Sequence, residues 1–265
     1  MKALHNEELI VAGIQANITW ENKEDNLLYF DTYISGIKAE HSAVDLIVLP
    51  EMFSTGFTMN PSPMAETMNG STLTWMKELS SEHEIALCGS LIIEEDGRYY
   101  NRFVFVNPNH EITHYDKKHL FSFAGEDKKY WAGNNKITIH FKGWSITPFI
   151  CYDLRFPAWC RNSEKADLQI FVANWPETRI AHWQKLLPAR AIENQCYVLG
   201  VNRIGADNNG LQYTGHSCGL DPFGNGIGEM ENKEGYSLFV LKKEVLNSVR
   251  ERLPFLDDMD SFEFL

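Results

Sequence analysis

The chain has 265 residues, of which 44% are hydrophobic and 23% charged, and its 24 Lys and Arg against 36 Asp and Glu give a net charge of −12. That composition supplies a sizeable core and excludes a disordered chain, while the acidity opposes a phosphate backbone over most of the surface, so no nucleic-acid partner is expected. No window reaches the roughly 18 apolar residues of a membrane span, and the opening Met-Lys-Ala-Leu-His-Asn-Glu-Glu does not read as an export signal.

Taken in order, Leu9–Ile18 reads as a buried strand. In Asn22–His41 the apolar residues Leu27, Phe30, Ile34 and Ile37 share one helix face. Asp45–Pro50 is a short strand stopped by proline, and Thr72–Glu84 a second helix. Ile85–Ile93 and Tyr99–Val106 form strands about the turn at Glu94-Glu95-Asp96-Gly97. Further strands are expected at Lys136–Phe141, Trp144–Ile150, Leu168–Ala173, Cys196–Val201 and Ser237–Leu241. A helix spans Arg179–Gln195, with Pro188 expected to kink it or to mark its first turn, and Gly205–Gly228 is rich in loops. This alternation predicts an α/β layered fold with sheets covered on both sides. No repeat or linker interrupts it, so one domain over residues 1–265 is expected.

The five cysteines Cys88, Cys151, Cys160, Cys196 and Cys218 are widely spaced and contain no Cys-x-x-Cys pair. They argue for reduced thiols in the cytoplasm and against a zinc cluster. Chemistry is expected at three strand ends: Glu51 after Leu46–Pro50, Cys151 after Ile146–Ile150, and Asn174-Trp175-Pro176 after Leu168–Ala173. Ligands of α/β folds bind beyond the carboxyl ends of strands. Polar residues follow Cys151 at once, placing it at the edge of the core. A thiol is only a few per cent ionised at neutral pH, so it needs a base or a stabilising cation. Glu51, desolvated by its apolar neighbours, can serve as that base, and His119 is the alternative. Lys117 or Lys118 can hold an oxyanion.

Together, Leu-Pro-Glu51-Met-Phe, Tyr-Asp-Lys117-Lys-His-Leu-Phe and Cys151-Tyr-Asp-Leu-Arg-Phe-Pro resemble the nitrilase superfamily of carbon–nitrogen hydrolases. Ala173-Asn-Trp-Pro and the run from Arg190 to Val198 support the resemblance, which extends from Gln15 to about Val240. It implies a four-layer αββα sandwich and a Glu51–Lys117–Cys151 triad of base, lysine and nucleophile. A second acid is implied as well, Glu126 fitting best with Asp127 as competitor. Within the superfamily the wording is closest to bacterial omega-amidases, or 2-oxoglutaramate amidases. That implies hydrolysis of the omega-amide of 2-oxoglutaramate or 2-oxosuccinamate through a cysteine thioester. The Tyr152 N–H would help hold the oxyanion, and neither metal nor organic cofactor is implied. Two rivals remain: a nitrile, N-carbamoyl or other aliphatic amide substrate, and a catalytically idle binding or scaffold member.

An acidic substrate needs a local cation. Arg155 is the candidate clamp, against a structural pairing with Asp153 or Glu193. Arg190 and Arg203 are weaker candidates, and Trp175, Phe121 and Trp131 are candidate pocket walls. The resemblance also implies a homodimer or higher homo-oligomer through Ala158–Asn162 and Leu253–Leu265. The aromatic and acidic tail would dock on a partner subunit or fold onto its own chain.

Overall fold

The computed structural model describes residues 7–264; most of the opening segment weighed as an export signal, and Leu265 of the tail, lie outside them. The strands are β1 (Glu8–Gln15), β2 (Leu46–Val48), β3 (Ala86–Glu95), β4 (Arg98–Val106), β5 (Ile112–Asp116), β6 (Ile139–Phe141), β7 (Trp144–Ile150), β8 (Leu168–Ala173), β9 (Tyr197–Asn202), β10 (Ile204–Ala206), β11 (Gln212–Thr214), β12 (Cys218–Leu220), β13 (Gly226–Glu229) and β14 (Gly235–Lys242). The helices are α1 (Lys23–Glu40), α2 (Pro61–Met64), α3 (Ser71–His83), α4 (Pro157–Cys160), α5 (Ile180–Asn194) and α6 (Lys243–Arg252).

Two six-stranded sheets run in the orders β14-β1-β2-β3-β4-β5 and β13-β12-β9-β8-β7-β6. The centre of each is parallel, β1-β2-β3 in one and β7-β8-β9 in the other, with antiparallel strands outside. Side chains alternate between faces with period two. Leu9, Val11, Leu46, Val48 and Phe103 share a core with Ile146, Phe149, Phe171 and Val198 of the opposite sheet. Ala12, Ile14, Ile47 and Leu87 point the other way, onto Phe30, Ile34 and Ile37 of α1 and Leu73 and Met76 of α3. Trp183 and Leu187 of α5 cover the second sheet, and Gly200 allows the approach, because a Cβ there would meet Leu187 at 2.5 Å and Trp183 at 2.7 Å. Helix, sheet, sheet and helix thus form the expected αββα sandwich.

Local chemistry explains the element ends. The Asn22 side chain accepts from the Asp25 N–H at 3.2 Å and caps α1, whose first turn also carries Glu24 and Asp25. Asp96 and Gly97 have φ of +52° and +73°, the pairing a two-residue hairpin turn needs between β3 and β4.

Several details depart from the expectations. β1 ends at Gln15, and the expected Ala16–Ile18 extension leaves the sheet, with Asn17 forming an isolated bridge to Ile204. β6 begins at Ile139 instead of Lys136. Pro188 lies inside α5, beyond its first turn, where its missing N–H removes one helix hydrogen bond. The expected loop Gly205–Gly228 carries β11 and β12 whole and parts of β10 and β13. Neither β5 nor α6 was expected, and β5 matters for function because it delivers Lys117.

Candidate active site

Glu51, Lys117 and Cys151 each follow a strand. Glu51 comes after Leu49 and Pro50 at the end of β2, Lys117 directly after β5, and Cys151 directly after β7. β2 and β5 belong to one sheet and β7 to the other, so the three meet where the carboxyl ends of both sheets converge. They line one cavity of about 220 Å³. The backbone turns sharply at two of these points. Met52 has φ +43° and Cys151 φ +45°, both left-handed, a conformation that costs an L residue about 1–2 kcal/mol.

Asp153 holds the turn at Cys151. One of its oxygens accepts from the Ile150 N–H at 3.1 Å and the Tyr115 hydroxyl at 2.8 Å. The other accepts from the His119 N–H at 2.9 Å and pairs with His119 Nδ1 at 2.8 Å. The His119 ring also stacks on Phe156 at 3.6 Å. His119 is therefore committed to the support of the nucleophile's turn, and the reading of it as a general base is set aside.

The cavity floor is a buried charge cluster. Lys117 Nζ donates to Glu51 Oε1 at 2.8 Å and to both oxygens of Glu126, at 3.0 and 2.9 Å. Asn101 Nδ2 donates to Glu51 Oε1 at 2.8 Å and Glu126 Oε1 at 3.2 Å, and its own Oδ1 accepts from Ser90 Oγ at 2.8 Å. Glu51 Oε2 accepts from the Asn174 N–H at 2.8 Å, and Glu126 Oε2 from the Phe121 N–H at 2.6 Å. Glu51, Lys117, Glu126 and Asn101 are all fully shielded from solvent. Such a cluster holds together because each charge is both paired and hydrogen-bonded.

Its electrostatics follow. Burial favours the neutral lysine, but the charges of Glu126 and Glu51 outweigh it and hold Lys117 as an ammonium, above its ordinary range. Burial raises Glu126, opposed by Lys117 and reinforced by Glu51. Burial likewise pushes the Cys151 thiol well above its ordinary range; the Glu51 charge adds to this, Lys117 opposes it, and Glu126 adds again. Cys151 is half-buried and lines the cavity together with Glu51. At rest the site presents a protonated thiol to a carboxylate, the arrangement of a nucleophile whose proton leaves as it attacks.

The remaining expectations sort themselves by contact. Asp127 is exposed while Glu126 sits in the cluster, which decides between them for position. Lys118 turns away, its ammonium on Asn134 Oδ1 at 2.9 Å. Tyr152, Arg155, Trp175 and Phe121 all line the cavity with Cys151. The Tyr152 N–H lies in the first turn of a short 3₁₀ helix, Cys151–Arg155, where amides lack a partner within the helix. Arg155 pairs with neither Asp153 nor Glu193, and instead lies 4.7 Å over the Trp175 ring. Arg190 is held by Glu193 and the Leu154 carbonyl, and Arg203 by the Ile18 and Ala206 carbonyls. Trp131 is exposed and stacks with Arg98, outside the cavity. Among the described residues no group of His, Cys, Asp and Glu is placed to hold a metal ion.

Among the polar residues that escaped the sequence reading are Asn101, behind the cavity on Glu51 and Glu126, and Arg179, Asp207, Asn209 and Tyr213 on its wall. Asn101 lies inside β4, where an apolar strand pattern gives no sign of a buried amide tether. Arg179 stood in the sequence only as the first residue of an expected helix.

Residues 10–251 match the family model described as carbon-nitrogen hydrolase. A Yersinia enterocolitica protein named omega-amidase YafV is 42% identical over 255 residues, covering 95% of this chain and 97% of that one. A Bacillus subtilis protein named 2-oxoglutaramate amidase is 30% identical, covering 94% of this chain and 96% of that one. In structure, a Xanthomonas campestris CN-hydrolase superfamily protein with an arsenic adduct in its active site superimposes with a TM-score of 0.94. It is 35% identical and covers 98% of this chain and all of that one.

Proposed function

The chain belongs to the carbon–nitrogen hydrolase family, and from that premise we propose that it is an omega-amidase, hydrolysing 2-oxoglutaramate or 2-oxosuccinamate to the dicarboxylate and ammonia. The observation that carries this reading is the cavity floor: a cysteine on the cavity wall together with a buried carboxylate that is itself fixed by a buried ammonium. The likeness to proteins named omega-amidase and 2-oxoglutaramate amidase supports the choice of amide.

In this reading Cys151 Sγ attacks the amide carbon as Glu51 takes the thiol proton. The carbonyl π pair moves to oxygen, and the Lys117 ammonium with the Tyr152 N–H holds the charge. One fixed donor of this kind contributes about 3 kcal/mol to the transition state. The C–N bond then breaks, the nitrogen takes the proton from Glu51, and ammonia leaves a thioester on Cys151. Water attacks the thioester, Glu51 accepts its proton, the C–S bond breaks, and the proton returns to sulfur. Glu126 keeps Lys117 charged and in place. Trp175 and Phe121 wall the pocket, and Arg155, free of any carboxylate partner among the described residues, grips the substrate carboxylate.

The reading extends to the whole chain, residues 1–265, as one domain, since both sheets contribute to a single cavity. A cytoplasmic location is supported by the five free cysteines. Assembly as a homodimer is supported by the tail, where Phe255, Phe262 and Phe264 are about half exposed (59%, 49% and 54%) although Phe264 also packs on Trp159 of its own chain.

Ammonia release from a panel of 2-oxoglutaramate, 2-oxosuccinamate, a simple nitrile and an N-carbamoyl amino acid tests the activity. Turnover is expected with the first two. Fast ammonia from only the last two would replace the omega-amidase reading, and none from any would favour an idle member.

A further inference from the structure

The cavity has a second cation at its rim. Arg155 and Arg179 line it together. The carbon of each guanidinium lies over an aromatic ring of the same cavity, Arg155 4.7 Å from the Trp175 centroid and Arg179 5.2 Å from that of Phe121. The rings are tied to the structure beneath. The Trp175 indole donates to the Arg179 carbonyl at 2.8 Å, the Trp175 amide donates to Asn202 Oδ1 at 2.7 Å, and the Phe121 amide donates to Glu126. A guanidinium held over a ring keeps N–H groups free for an anion.

The two carboxylates that line the cavity, Glu51 and Asp207, are engaged elsewhere. Arg102, Arg190 and Arg250 have carboxylate partners, whereas neither Arg155 nor Arg179 has one among the described residues. The partner of Arg155 is His182 Nδ1, which accepts at 3.1 Å and supplies no negative charge. Glu51 is committed to Lys117. Asp207, also on the cavity, accepts from the Asn209 and Leu211 amides at 2.8 and 3.0 Å and from the Tyr213 hydroxyl at 3.0 Å. The two arginines are near enough that Arg179 adds to burial in disfavouring the charge on Arg155. In a protein of net charge −12, two unpaired cations that repel each other across one cavity are a site for an anion.

We propose that Arg155 and Arg179 form a two-guanidinium clamp for the 2-oxo carboxylate end of the substrate, and that Arg179 sets the preference for anionic over neutral amides. This rests on the dicarboxylate monoamide reading of the site. A 2-oxo carboxylate presents three acceptor oxygens close to one plane, and two planar forks can meet all three, which one fork cannot.

The test compares kcat/KM for 2-oxoglutaramate with that for pentanamide, its uncharged counterpart of equal chain length, in wild type, Arg179→Gln, Arg179→Lys, Arg155→Gln and the double variant Arg155→Gln/Arg179→Gln. Arg179→Gln is expected to lower the ratio of the two about tenfold to hundredfold, chiefly through KM for the anion. Arg179→Lys should retain part of the preference. The double variant should lose less than the product of the single losses, because both arginines act on one group. A second readout is independent of turnover: 2-oxoglutarate should protect Cys151 from iodoacetamide in wild type, and need a higher concentration to do so in Arg179→Lys. An Arg179→Gln enzyme with the wild-type ratio, or wild-type protection in Arg179→Lys, overturns the clamp. A wild-type enzyme that prefers pentanamide overturns the omega-amidase reading itself.

Discussion

The floor and the rim of the cavity are built on different terms. On the floor, Glu51, Lys117, Glu126 and Asn101 are fully shielded, and each is held by two or more hydrogen bonds to other parts of the chain. At the rim, Arg155 and Arg179 are half-exposed and rest on aromatic rings, with few polar partners. The floor is complete without a ligand, whereas the rim has unspent charge. The contrast separates two tasks: reacting groups gain from fixed geometry before the substrate arrives, while a recognition surface gains from donors left open for the substrate to fill.

Changes to the floor should therefore be costly whatever the amide. Cys151→Ala should lower kcat/KM for every amide by at least about 10⁴-fold while the fold is kept, because the nucleophile acts as a unit with its base. Circular dichroism together with ammonia release checks this. Lys117→Met should abolish turnover and also destabilise the protein, since it leaves two buried carboxylates without their cation. Removing one partner of a buried pair costs about 3–5 kcal/mol, read from urea unfolding. Normal stability in that variant would mean the cluster is less tightly coupled than its contacts imply.

Asn101→Ala is the finer probe of the floor. It removes the amide that ties Glu51 to Glu126 but no charge, so kcat should fall about tenfold to hundredfold with KM little changed. Glu51→Gln addresses the thiol. Glu51 is among the causes that hold Cys151 in its protonated form. The variant should lose activity, yet its thiol should titrate at lower pH than in wild type, measured by alkylation rate against pH.

The rim should respond most weakly and most selectively. Phe121→Leu withdraws the ring beneath Arg179 and should cost a few-fold in kcat/KM for 2-oxoglutaramate, less than loss of the guanidinium itself, since a partly exposed cation–π contact is worth about 0.5–1 kcal/mol. Equal losses for pentanamide and 2-oxoglutaramate would erase the distinction between floor and rim.

The same contrast governs how much could be read from the sequence. Glu51 and Cys151 were legible because each ends a continuous apolar strand with an abrupt polar residue. Lys117 was harder: its strand, Ile112–Asp116, is too polar to stand out, with His114 exposed and Asp116 paired to Arg102. The choice between Glu126 and Asp127 turns on which of two adjacent acids faces inward, and a 3₁₀ turn with no apolar periodicity does not signal that. Asn101 occupies a position on β4 whose pattern says only that it is buried. Arg179 was hidden because the clamp exists only in three dimensions: Arg155 follows the nucleophile in sequence, while Arg179 arrives from beyond the next strand. The sandwich itself was legible from alternating apolar strands and helix faces, except where short strands such as β10 to β13 carry too few residues to show a period.

The most direct test traps the reaction midway. Wild-type protein mixed with 2-oxoglutaramate and quenched in acid within a turnover should show, by intact mass, an increment equal to the acyl group left after ammonia departs. Digestion should place that increment on the peptide containing Cys151, and Cys151→Ala should show none. An increment on another residue, or rapid ammonia release from Cys151→Ala, would contradict the account.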